Sequence, residues 1–230
     1  MVRYFQVKEC GADASTPNKN GATPVWIAAQ NGHSATVRAL VRECGADAST
    51  PNKNGATPVW KAAQNGHTET VRVLVQECGA DASTAKNDGA TAVFVASQNG
   101  QTETVRALVL ECGDDARTPN NDGATPVWIA AQNGHTETVR ALVQDCGADA
   151  STANKNGTTP VCAAAQYGHT ETVRVLVKEC GADASTANKN GATPVWIAAQ
   201  NRHTETVRVL VQECGADASR TADDDVCWSD

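Results

Sequence analysis

Seven cysteines, Cys10, Cys44, Cys78, Cys112, Cys146, Cys180 and Cys214, recur every 34 residues, and His33, His67, His135, His169 and His203 keep the same interval, with Gln101 filling the gap. Thiols and imidazoles are the ligands of zinc sites and the nucleophiles of covalent catalysis. The spacing argues against zinc. From His33 to Cys44 is 11 residues, the length of a helix, whereas zinc ligands come in closely spaced pairs. Glutamine at 101 shows that the position works without imidazole. A redox thiol needs a lowered pKa, and a helix C-terminus is the wrong end of the helix dipole to lower it. The ladder cysteines are therefore expected to be small, buried, reduced hydrophobes. No disulfide is expected among them, because stacked helices lie about 8–10 Å apart and a bridge needs Cα atoms within roughly 7 Å. Cys162 and Cys227 lie off the ladder and are the thiols expected to be reactive. No Ser/His/Asp arrangement, phosphate-cradling glycine loop or catalytic carboxylate pair stands out from the repeat.

The elements that carry these residues repeat too. Six full copies run over 18–51, 52–85, 86–119, 120–153, 154–187 and 188–221, with half a unit at 1–17 and a tail at 222–230. In the first copy Asn18-Lys19-Asn20-Gly21 is a turn signal, and Thr23-Pro24 opens a helix, with threonine as N-cap and proline at the first helical position. Asn31-Gly32 ends it, since glycine enters the left-handed region freely. Arg202 occupies this glycine position in the last copy and is expected to be strained there. Val37, Leu40, Val41 and Cys44 then mark one stripe of a second helix, which Gly45 stops. A period of this length is the mark of an array in which each unit buries its apolar surface against its neighbours. One elongated domain is expected, with poor order from Asp223 to Asp230 unless Trp228 folds back.

Gly21-Ala22-Thr23-Pro24-Val25-Trp26-Ile27-Ala28-Ala29, the Gly32-His33 between helices and the Gly45-Ala46-Asp47 loop resemble the ankyrin repeat, in register through 18–221. The resemblance implies an all-α ankyrin-repeat solenoid of helix-turn-helix units, whose first helices and hairpin tips line a concave side. It also implies a non-catalytic protein-interaction module rather than an enzyme. Two features depart from the family. Each unit has one residue more than the usual 33, placed at the end of the second helix, so a longer helix or a tighter or bulged turn is expected there. The family's histidine after Thr-Pro-Leu is replaced by Trp26, Trp60, Phe94, Trp128, Cys162 and Trp196, an aromatic ladder that stands in for its hydrogen bonds.

Composition narrows the partner. With 19 Lys and Arg against 26 Asp and Glu, the net charge is −7, which lacks the basic stripe that nucleic acid requires. The opening residues carry no signal-peptide run and no stretch is long enough to span a membrane. A soluble, intracellular, cytoplasmic protein without a cofactor is expected, and the single sequon Asn156-Gly157-Thr158 reads as coincidence. Differences between copies point to the contact surface. Tips read Lys-Asn in copies one, two, five and six and Asn-Asp in copies three and four, and the third copy diverges most. A protein partner is accordingly expected at Lys53, Lys61, Asp88, Phe94, Asp122, Trp128 and Tyr167. The alternative is a structural spacer, or a fragment of a longer array that associates end to end through uncapped terminal repeats.

Overall fold

The computed structural model describes residues 14–217. Most of the half unit, Cys10, Cys227 and the tail from 222 lie outside the described residues. Twelve helices pair into six helix-turn-helix units, and no strand occurs among the described residues.

Each first helix has seven residues: Pro24–Gln30, Pro58–Gln64, Ala92–Gln98, Pro126–Gln132, Pro160–Gln166 and Pro194–Gln200. Local chemistry sets its start. Thr23 Oγ1 accepts the Trp26 N–H at 3.2 Å, and Thr91 does the same for Phe94 although alanine has replaced proline at position 92. The closing glycines adopt positive φ, as at Gly134 (72°), and Arg202 is the only described residue other than glycine to do so (61°).

The second helices begin at Ser34, Thr68, Thr102, Thr136, Thr170 and Thr204. Four of them pass into a π turn, at Val73–Glu77, Ala107–Glu111, Ala141–Asp145 and Val209–Glu213. This turn absorbs the extra residue of the unit. In the second copy the Cys78 N–H reaches back five residues to Val73 at 3.0 Å, and Ala80 reaches back six to Leu74 at 2.9 Å around the left-handed Gly79. The first and fifth copies remain α-helical to Arg42 and Lys178, yet Cys44 and Cys180 make the same five-residue bond. The ladder cysteine is thus a helix-capping residue, and its side chain is half-buried, not buried as expected. The stripe that fills the interior ends one turn earlier, at the wholly buried Leu74, Leu108, Leu142, Leu176 and Leu210.

By its contacts the chain forms two compact units, residues up to Ala96 with Glu103–Asp115, and Ser97–Thr102 with residues from Ala116 on, so the division passes through the third copy. In the first unit, Pro24–Gln30 packs on Pro58–Gln64. In the second, Pro160–Gln166 packs between Pro126–Gln132 and Pro194–Gln200. Valines at the second position of the first helix, among them Val25, Val59 and Val161, are at most 1% exposed, so the interior is built of thin, small side chains shared between neighbours.

Candidate functional site

Four histidines clamp their own copy to the one before it. The Nε2–H of His67 donates to the Gln30 carbonyl at 3.0 Å, and His135, His169 and His203 repeat this on Gln98, Gln132 and Gln166. The imidazole therefore satisfies a carbonyl at the end of a neighbouring first helix, where no partner exists within that helix. It also lies over the left-handed glycine: a Cβ at Gly134 would stand 2.5 Å from His169 Nδ1. Burial lowers the pKa of His169, while the bond to the Gln132 carbonyl works against that shift. The imidazoles join neighbouring copies rather than the two helices of one unit.

The tryptophans make a second inter-copy bond. Indole N–H groups of Trp26, Trp60 and Trp128 donate to Ala56, Ala90 and Thr158 carbonyls in the following hairpin, at 2.9, 3.1 and 2.9 Å. Cys162, at the same position in the fifth copy, is fully buried, with its Sγ 3.6 Å from the Thr186 carbonyl. Burial pushes its thiol pKa up, so this off-ladder cysteine is the opposite of a reactive thiol. Burial also raises the thiols of Cys78, Cys112, Cys180 and Cys214.

Hairpin tips are tied to one another through the backbone. Lys53 N–H donates to the Asn20 carbonyl at 3.1 Å, Lys155 to Asp122 at 3.0 Å and Lys189 to Asn156 at 3.1 Å. In five of the six tips an asparagine carboxamide oxygen accepts two backbone N–H groups, as Asn52 does from Asn54 and Ala56 at 3.0 Å each, whereas Lys86 holds that position in the third copy. The side chains projecting from these tips therefore stand on fixed backbone. Of the residues expected at a contact surface, Lys53, Asp88 and Asp122 are exposed at tips, and Tyr167 is 50% exposed at the end of its first helix. Lys61 is half-buried with its ammonium 5.7 Å from the Trp26 ring, and Trp128 is half-buried by its inter-copy bond. Phe94 is only 4% exposed, because a phenyl ring without a polar edge fills the interior where the indoles reach a carbonyl.

Charge on the second-helix side is organised across copies. Arg38 pairs with Glu77, Arg72 with Glu111, Arg140 with Glu179 and Arg174 with Glu213, each through two nitrogens. Bonding to the arginine holds each of these glutamates below its ordinary pKa. A separation of 39 residues hides the pairs from a reading of single helices, where Glu69 and Arg72 look like a solvated i,i+3 pair. A Thr–Thr hydroxyl contact recurs beside them, for example Thr136–Thr172 at 2.7 Å.

One buried group stands out against this pattern. Asp114 takes the position of Ala80, Ala148 and Ala182, and is 5% exposed. Its Oδ1 accepts the Asp115 N–H at 2.8 Å, while Oδ2 has no partner among the described residues. Desolvation raises its pKa to about 6, with Asp81 and Asp115 adding to the rise. No cluster of three or more His, Cys, Asp or Glu able to hold a metal occurs among the described residues, and no helix there is long and apolar enough to cross a membrane.

The recurring clamps are thus devices for stacking copies. A family model described as ankyrin repeats, in three copies, matches residues 1–86, 76–154 and 127–222. No curated protein matches the chain. Since those three matches together run through residue 222, the chain belongs to the ankyrin-repeat family.

Proposed function

We propose that this chain is a non-catalytic interaction module that holds a protein partner through its hairpin tips and first-helix residues, at Lys53, Lys61, Asp88, Asp122, Trp128 and Tyr167. Ankyrin repeats are in general protein-interaction modules, which supports the class. The observation that carries the reading is the tip-to-tip bonding. Backbone bonds from Lys53 to Asn20 and from Lys155 to Asp122 fix the backbone from which charged and polar side chains project before a partner arrives, so little backbone ordering entropy is lost on binding. Tip side chains also vary between copies without disturbing the interior, and the mixed charges of Lys53, Asp88 and Asp122 favour register and association rate over raw affinity.

The test is charge reversal on the intact chain, Lys53→Glu with Asp88→Lys and Asp122→Lys, against a partner recovered by affinity capture. The complex should weaken at least tenfold while the melting curve stays nearly unchanged, because these side chains are exposed. If binding survives this change but is lost on altering Arg72, Arg106 and Leu110, the contact is on the second-helix side and the proposal fails.

A further inference from the structure

Two cavities of about 480 Å³ open at the tips, one in each compact unit, and they are copies of each other. The first is lined by Asn18, Asn20, Trp26, Ile27, Asn52 and Lys53, the second by Asn120, Asp122, Trp128, Ile129, Asn154 and Lys155. Among their lining positions a single one differs, Asn20 against Asp122.

That difference changes the chemistry the walls offer. In the first cavity two of the wall carboxamides spend their oxygens on the turns: Asn18 Oδ1 accepts the Asn20 and Ala22 N–H groups at 2.9 and 3.1 Å, and Asn52 Oδ1 those of Asn54 and Ala56. Their NH₂ groups remain as donors, beside the Lys53 ammonium, which bonds to nothing among the described residues. No carboxylate lines this cavity. Ile27, 38% exposed, supplies an apolar patch beside these donors. In the second cavity Asn120 and Asn154 are spent in the same way, but the Lys155 ammonium is already bonded to the Asn121 carbonyl at 2.5 Å and the Asp122 carboxylate stands in the wall.

We infer that the cavity of the first unit receives a carboxylate side chain, aspartate or glutamate, from the partner polypeptide, and that Asp122 bars a carboxylate from the otherwise equivalent cavity of the second. Two NH₂ groups and a free ammonium meet the lone pairs of a carboxylate, while Ile27 covers its methylene stem. A fixed negative charge at Asp122 repels the same ligand and leaves that wall with an acceptor in place of a donor. This assignment rests on the tip-binding reading above and specifies its chemistry.

The probe is glutamate capped as N-acetyl-glutamate methylamide, titrated into the intact chain at 0.15 M salt, with the side-chain amide and indole N–H signals followed by NMR. Saturable shifts are expected at Asn18, Asn52 and Trp26, but not at Asn120, Asn154 or Trp128. Capped glutamine should bind at least tenfold more weakly. Asn20→Asp should remove the response, and Asp122→Asn should create it in the second unit. Each change installs the residue that already occupies the sibling cavity, so the fold is retained. Equal binding of capped glutamine, equal shifts with sodium acetate, or no effect of Asn20→Asp would overturn the inference. Should capped glutamate fail to bind while charge reversal at the tips still weakens a captured complex, the carboxylate assignment falls and the interaction reading stands; should both fail, both fall.

Discussion

After its second helix the second copy reads Gly79-Ala80-Asp81 and the third Gly113-Asp114-Asp115; between its helices the fifth copy reads Tyr167-Gly168-His169 and the sixth Asn201-Arg202-His203. Both substitutions leave the backbone path intact. The Asp114 N–H still reaches the Leu108 carbonyl at 3.0 Å, as Ala80 reaches Leu74, and Arg202 keeps the left-handed φ of the glycines. What differs is where the strain lies. Asp114 buries a charged group with one oxygen unpaired, so its cost is desolvation, whereas the exposed Arg202 pays only the torsional cost of a Cβ at positive φ. At Gly32, Gly100, Gly134 and Gly168 a Cβ would also collide with the next imidazole, so there the following copy adds a clash to the torsional cost.

The comparison breaks most sharply if the glycine position is filled where a histidine overlies it. Gly134→Ala places a Cβ against His169, displacing its bond to Gln132 and adding left-handed strain. A loss of about 2–4 kcal/mol is expected from roughly 1–2 of strain and a similar cost of the orphaned carbonyl. Urea unfolding measures it, and a loss under about 1 kcal/mol, the cost of strain alone, would show that the overlying ring gives way freely.

Asp114→Ala should act in the opposite direction, raising stability at pH 7.5 by an amount of order 3 kcal/mol, the equivalent of a rise of about two pKa units. The direction with pH follows from the shift. The folded pKa of about 6 lies above the unfolded value of about 4, so the folded chain binds more protons between them and loses stability as pH rises through that window. The advantage of the variant should therefore be complete above pH 6–7 and shrink towards zero near pH 4. His169 runs the other way: burial lowers its pKa, so its contribution is full above about 6.5 and declines as pH falls. Measuring variant and parent at each pH cancels that background. A variant advantage unchanged from pH 4 to 7.5 would refute the desolvation account.

The smallest effect belongs to Arg202→Gly, which relieves torsional strain and removes no buried contact. A gain of about 1 kcal/mol is expected, read as a higher urea midpoint at unchanged slope. A neutral or lowered midpoint would mean that the arginine makes a compensating contact.

Much of this was legible in the residues. Thr23-Pro24 marks a helix start because capping is a local exchange between one hydroxyl and one N–H, and Gly32 marks a stop because φ is a property of one residue. The extra residue of each unit was readable as a longer helix or a tighter or bulged turn, though not as a π turn, since that choice depends on where Leu74 must point to stay buried. The ladder cysteines were read as buried because an apolar stripe does not reveal where its helix is capped. Phe94 and the tryptophans were read together as an aromatic ladder, yet their places differ, since only an indole has an N–H to offer the next hairpin. The spent oxygens of Asn18 and Asn52 in the tip cavity carry no sequence signal, because which end of an asparagine amide is used depends on the turn it closes.

By itself, then, the chain determined what is local and periodic: where helices start and stop, which copies depart from the rest, and that neighbours of nearly identical sequence must bury one another. Only the tertiary structure decided which partner each repeated group meets. His67 to Gln30, Trp26 to Ala56 and Arg38 to Glu77 join residues 30 to 39 apart, and nothing within one unit distinguishes such a contact from an unpaired side chain. Stacking brings those groups within 3.0 Å of one another, and the same stacking desolvates Asp114 and leaves its Oδ2 without a partner.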